Sequence, residues 1–162
     1  MGRSNSKHLP PKTTDEFYGS QAQIIENLGW LSNKDQEHGV IVTLDKGFFK
    51  IRQHIVSIGS LNSDITDTKI LLNRVIEDKA TRFVFAHNHS NGMAVFSEAD
   101  FKFTIALLFV SMLIDLKFVD HILFTYERKP ISMRNLHPHL WEYDWNGIFA
   151  KAVNKYLPKR KF

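Results

Sequence analysis

FVFAHNHSNGMAVFSEAD, residues Phe83 to Asp100, is the stretch on which the reading of this chain turns. An apolar run, Phe83 to Ala86, opens into two histidines one residue apart, and a serine and an aspartate follow in the pattern His87-x-His89-x7-Ser97-x2-Asp100. Two imidazoles and one carboxylate make three protein ligands for a divalent ion of zinc type. Three ligands leave the fourth tetrahedral position to water, as in catalytic rather than scaffolding sites. The chain holds eight histidines, and a chance match to the whole pattern is of order one in a thousand.

Part of the same pattern also starts a helix. Ser97-Glu98-Ala99-Asp100 reads as Ser at N-cap with an acidic residue at N3, a capping box ahead of the apolar run Phe101 to Leu113. Capping accounts for Ser97 and Asp100 without a metal, and the two readings are compatible. It does not account for a histidine pair at the end of a buried-looking strand that leads into that helix. Strand ends and helix starts in α/β domains are where ligands sit.

Working outward, strand and helix signals alternate. Thr13-Thr14-Asp15-Glu16 offers a capping box, and Phe17, Ile24, Ile25 and Leu28 form one apolar face, predicting a first helix that ends near Gly29. Glu37 to Asp45 and Phe48 to Ile58 are β-branched and aromatic runs joined by Lys46-Gly47, which is hairpin chemistry. Asp67 caps a predicted helix to about Asp78, and Thr81 to Ala86 is a short strand before the motif loop. Leu116 to Tyr126 reads as a strand, Glu127 to Pro130 as a turn and Ile131 to Met133 as a short strand. His139 to Leu157 reads as a terminal helix. Helices flanking a mixed sheet predict a three-layer α/β/α domain. Residues 1–12, polar with a Pro-Pro pair, are expected to be flexible, 13–157 to form a single domain, and 158–162 to be a basic tail.

Composition agrees with one domain. A chain of 162 residues with 43% hydrophobic side chains can fill one core. Cysteine is absent, which excludes disulfides, cysteine-zinc sites and thiol nucleophiles. No apolar stretch reaches transmembrane length and no secretory signal is recognisable, so a cytoplasmic protein of bacterial type, with no membrane partner, is expected. Lys and Arg total 21 against 17 acidic residues, for a net charge of +4. Much of the excess lies in Lys151, Lys155, Lys159, Arg160 and Lys161, a segment able to meet phosphate backbones nonspecifically but more usually a solvated end. Gly92 gives the Ser90 to Phe96 loop a hinge.

The motif resembles that of the JAMM (MPN-plus, JAB) metalloproteases, and His-Asn-His followed by a short Gly-containing loop is most similar to their RadC branch. Collinear similarity continues through Glu37 to Asp45, Ser57 to Asn62 and Asp120-His121-Ile122, about Glu37 to Tyr126 in all. The chain departs from RadC where Ser90 to Phe96 lacks the usual prolines and where Thr66-Asp67-Thr68-Lys69 replaces a Pro-Arg-Glu turn. The resemblance implies a JAB/MPN, cytidine-deaminase-like architecture, here as a stand-alone domain without the helix-hairpin-helix region. It implies one zinc ion per chain held by His87, His89 and Asp100, with Glu37 as general base and then proton donor, and Ser97 as an oxyanion-type donor. The reaction implied is attack of metal-activated water on a peptide or isopeptide bond of a protein or peptide substrate. The alternative is a DNA repair or processing accessory, either a metal-dependent nuclease or a DNA-binding module. Without the resemblance, Asp35, Asp45 and Glu98 compete equally with Glu37 for the base.

Asn88 is expected to point away into structure, His121 to be a core histidine rather than a partner of a ligand, and His137-Pro138-His139 to hold no metal. Zinc deaminases need Cys-x-x-Cys, and an amidohydrolase barrel needs about 250 residues. The adjacent letters His-Asn-His are not the separated residues of an HNH nuclease.

Overall fold

The computed structural model describes residues 14–59, 68–126 and 128–156. Five strands, β1 (His38–Leu44), β2 (Lys50–Ile58), β3 (Arg82–His89), β4 (Lys117–Thr125) and β5 (Arg128–Ser132), form one sheet in the order β2-β1-β3-β4-β5. β1 lies antiparallel to both β2 and β3, β3 runs parallel to β4, and β5 returns antiparallel at the edge. The helices are α1 (Gln21–Leu28), α2 (Thr68–Glu77), α3 (Glu98–Leu113), α4 (Met133–Leu136), α5 (His139–Glu142) and α6 (Trp145–Tyr156). A 3-10 turn, Gly29–Asn33, follows α1.

Both faces of the central strands are buried, because alternate side chains serve two separate apolar layers. On one face Ile24 and Leu28 of α1, with Tyr18 and Leu31, cover Val40, Val42, Val84, Ala86 and Phe124. On the other, Leu71 and Val75 of α2 and Phe103 and Leu107 of α3 cover Ile41, Phe83, Phe85 and Phe118. This is the expected α/β/α sandwich. The same period of two puts the side chains of His87 and His89 on the α3 face and that of Asn88 on the α1 face.

α3 starts as its sequence requires. Ser97 is the N-cap, its hydroxyl accepts from the Asp100 backbone N–H, and the Asp100 carboxylate accepts from the Ser97 N–H, a complete capping box. α2 and α3 end without glycine. Lys79 (φ 52°) and Asp115 (φ 55°) take the left-handed position, and Ala80 N–H and Leu116 N–H reach back to the carbonyls of Val75 and Ser111 in Schellman closures.

Several boundaries differ from expectation. The first helix begins at Gln21, capped by Ser20, not near Thr14. Residues before it are extended: the Thr14 and Tyr18 N–H groups donate to Lys50 and Phe48 carbonyls, and Phe17 bridges to Phe49. These backbone bonds alongside the Phe48–Lys50 segment outweigh the local capping signal, while Thr13 lies outside the described residues. β3 extends through both histidines rather than stopping at Ala86, because its pairing with β4 continues to His89 and Thr125. Arg128 to Pro130 belongs to β5, not to a turn; Pro130 is tolerated because β5 is an edge strand. The terminal helix is broken between Glu142 and Trp145, where Tyr143 is extended. The expectations for residues 1–12, Ser60–Asn62, Asp67, Glu127 and 158–162 lie outside the described residues. No described helix is long and apolar enough to cross a membrane.

Candidate metal centre

Three side chains from two elements converge at the C-terminal end of β3. His87 Nε2 lies 3.1 Å from His89 Nε2 and 3.3 Å from Asp100 Oδ1, and His89 Nε2 lies 3.6 Å from Asp100 Oδ2. Ligand atoms bonded at about 2.0 to 2.1 Å in a tetrahedron are about 3.3 Å apart, so this spacing suits an ion of zinc size. The donor chemistry fits as well: two imidazoles and one carboxylate, with α3 aiming the carboxylate by the same box that starts it.

The loop after β3 secures the second histidine. The Gly92 N–H donates to the His89 carbonyl at 3.3 Å, and Gly92 at φ 71° turns the chain in a conformation that favours glycine. The Met93 carbonyl then accepts from His89 Nδ1 at 3.0 Å, which commits that nitrogen to a proton and leaves Nε2 facing Asp100. Phe96, buried, packs beside the rings of His87 and His121.

Burial lowers the pKa of His87 to about 4; Asp100 opposes that shift and His89 adds to it. Neutral imidazole is the form that binds metal. The Asp100 carboxylate beside it raises the pKa of His89 against the effect of burial, with the Met93 carbonyl and Glu37 acting the same way. Burial pushes Asp100 upward, but His89, His87 and Ser97 outweigh it and hold the carboxyl well below the usual range. The upward shift of His89 and the downward shift of Asp100 share one cause, the attraction between the two side chains.

Glu37 immediately precedes β1. β1 pairs Gly39 with His87, and continuing that antiparallel register sets Glu37 opposite His89, in keeping with its effect on the His89 imidazole. Its competitors separate in space. Asp45 holds the β1–β2 turn through Gly47 and Phe49 N–H, at the far end of β1, and Glu98 is exposed on Lys102. Asp35 lines a cleft of about 290 Å³ beside His89 with Ser32, Asn33, Lys34, Ser90 and Tyr126. Ser97 Oγ donates to Asp100 Oδ2 at 2.7 Å, so its hydroxyl hydrogen is engaged by the Asp100 carboxylate.

Asn88 points away from the histidines as expected, and it also has a task. Its Oδ1 accepts from the His38 N–H at 2.7 Å, and its amide donates to the Gln36 and Lys34 carbonyls at 3.1 and 3.3 Å. One buried amide thereby clamps the segment on either side of Glu37. His121 corrects the expectation. It is fully buried, but its Nε2 lies 2.8 Å from His87 Nδ1 and its Nδ1 2.7 Å from Thr104 Oγ1. His87, Asp100 and His121 offer ligand atoms within 4.8 Å of one another. Both ring nitrogens of His121 are engaged, however, and His89 completes the tighter set. The sequence signal for His121 was hidden by a bulge: Phe83 and Phe85 pair with Phe118 and His121, so β4 carries one extra residue, which reverses the alternation. The ring of His137 packs on Phe101.

A mixed five-stranded sheet between helices, with a His/Asp cluster able to hold a metal ion at a strand end, defines an α/β domain with a candidate metal centre. The profile of the RadC-like JAB domain matches residues 19–138, and the chain belongs to that family. A UPF0758 protein of Acaryochloris marina is 28% identical over 142 residues, covering 83% of this chain and 57% of the relative. One from Methanospirillum hungatei is 28% identical over 106 residues, covering 65% and 47%. One from Synechocystis is 26% identical over 137 residues, covering 85% and 54%. The chain thus spans about half the length of the curated relatives it matches.

Proposed function

We propose that this chain is a zinc-dependent hydrolase of JAMM type that cleaves a peptide or isopeptide bond. The observation that carries the reading is the convergence of His87 Nε2, His89 Nε2 and an Asp100 oxygen at 3.1 to 3.6 Å, beside the segment bearing Glu37. Those three residues would hold one zinc ion, which when bound supplies the Lewis acidity that brings the pKa of water toward neutrality. Glu37 accepts the proton of the attacking water and returns it to the amine nitrogen as the C–N bond breaks. Ser97 turns its hydroxyl from Asp100 Oδ2 to the carbonyl oxygen as negative charge develops there. The cleft between Lys34, Asp35 and Tyr126 receives the chain of the protein or peptide substrate beside His89.

The test offers zinc-loaded protein fluorogenic peptides and isopeptide-linked substrates in parallel with single- and double-stranded DNA, with Glu37→Ala and His89→Ala as controls. Peptide or isopeptide cleavage lost in both variants is expected. DNA cleavage lost in both, with no peptide cleavage, replaces this reading with a DNA-processing role. Lys151 and Lys155 on exposed α6 would then supply phosphate contacts.

A further inference from the structure

Hydrogen-bond directions around His121 can be assigned one at a time, starting from a group with no choice. Thr104 Oγ1 lies 2.7 Å from the Asp100 carbonyl, four residues back on α3. A carbonyl cannot donate, so the Thr104 hydroxyl hydrogen fills that gap. The hydroxyl has no second hydrogen, and its contact with His121 Nδ1 at 2.7 Å requires the proton to sit on Nδ1. His121 is fully buried among Phe85, Phe96 and Phe103, an environment that disfavours a second ring proton, so its Nε2 is bare. The 2.8 Å contact between that nitrogen and His87 Nδ1 then needs a proton from His87. Neutral His87 with its proton on Nδ1 has a bare Nε2, the nitrogen that faces His89 and Asp100.

We propose that Thr104 and His121 form a relay that fixes the tautomer of His87, so that its Nε2 lone pair is presented to the metal before any metal arrives. Both are positioning residues; neither offers a free ligand atom. The relay starts at the backbone of one proposed ligand, Asp100, and ends at the ring of another, His87, tying α3 to β3 through β4. The β4 bulge is what aims His121 onto the α3 face, and Asp120 stabilises it: its Oδ1 accepts from the N–H of His121 at 2.7 Å and of Arg134 at 3.1 Å, while Ser132 Oγ donates to Oδ2 at 2.6 Å. Orienting partners of ligand histidines are usually carboxylates or backbone carbonyls; here a neutral imidazole does that work, itself directed by a threonine.

The relay's effect on affinity rests on the metal reading above, but the tautomer does not, and the experiment separates them. Multiple-bond 1H–15N spectra of imidazole nitrogens in metal-free protein, with His87 assigned by its loss in His87→Asn, are expected to show a protonated Nδ1 and bare Nε2. A proton on Nε2 of neutral His87 overturns the proposal. Zinc affinity is then measured by competition with a chromophoric chelator. Thr104→Val keeps the side-chain shape but cannot accept from His121. It is expected to shift His87 toward the Nε2–H form and weaken zinc binding by about 10- to 100-fold, whereas Thr104→Ser stays within about threefold of wild type. Should Thr104→Val fail to fold, the wild-type spectrum still decides. Wild-type affinity and tautomer in a folded Thr104→Val overturn the relay. A wild-type protein with His87 protonated on Nδ1 that takes up no zinc supports the relay and sinks the metal reading.

Discussion

Replacing Asn88 by alanine isolates the clamp behind the site from the ligands in front of it. The side chain is 2% exposed and makes three hydrogen bonds: one accepted from His38 N–H at 2.7 Å and two donated, to the carbonyls of Gln36 and Lys34. Alanine leaves the His38 N–H without that partner, at about 1 to 3 kcal/mol. Gln36 and Lys34 are exposed, so their carbonyls recover water and the two donated bonds together cost about 1 kcal/mol more. The expected loss is about 2 to 4 kcal/mol in urea unfolding of metal-free protein, read as a lower midpoint at unchanged slope. Asn88→Asp restores an acceptor for the His38 N–H but recovers little, because it buries a carboxylate against the Gln36 and Lys34 carbonyls, where desolvation and repulsion offset the regained bond. The side chain leaves β3 on the face away from His87 and His89, so zinc affinity should stay within about tenfold while turnover falls with the misplacement of Glu37. A loss under about 0.5 kcal/mol, or unaltered amide exchange at His38, would refute this reasoning.

Metal-free protein should lose stability as pH falls from about 6.5 toward 4. Burial lowers the His87 pKa to about 4 and that of His121 well below its ordinary value, so the unfolded chain takes up protons that the folded chain refuses. The His87 shift alone corresponds to about 3 kcal/mol, and the raised pKa of the half-buried His89, which stabilises the fold below 6.5 and loses that effect as pH rises, offsets part of it. A urea midpoint that holds or rises between pH 6.5 and 4.5 contradicts the assignment. Ser97→Ala should cost about 1 kcal/mol through its cap and, if its hydroxyl serves the carbonyl oxygen, lower kcat about 10²- to 10³-fold with zinc affinity little changed. Asp78, buried after α2, accepts from Thr43 Oγ1 at 2.6 Å and contacts His54 Nε2 at 2.7 Å. Asp78→Ala should cost about 2 kcal/mol in thermal or urea melts and leave zinc binding unchanged, being at the other end of β1.

The layered fold and the grouping of His87, His89 and Asp100 were legible because both follow from local periodicity. Alternation along β3 puts His87 and His89 on one face, and the capping box at Ser97 places Asp100. What stayed hidden depends on irregularity or distance. A single inserted residue in β4 reverses the face of His121, and no one-sequence pattern announces a bulge. Glycine-free helix ends at Lys79 and Asp115 offer no stop signal, and the helix predicted after Thr13 gave way to pairing with residues more than thirty positions away, such as Thr14 with Lys50. Asn88 was readable only as a side chain pointing inward; that it holds both sides of Glu37 required the fold.

His87, His89 and Asp100 are proposed to hold one metal ion. Elemental analysis and zinc titration of protein expressed with the metal in excess test it most directly. One equivalent of zinc per chain, lost in His89→Ala and in Asp100→Asn while both variants keep their fold, is the predicted result; a wild-type chain with no stoichiometric metal, or variants that bind it as tightly, would contradict the account.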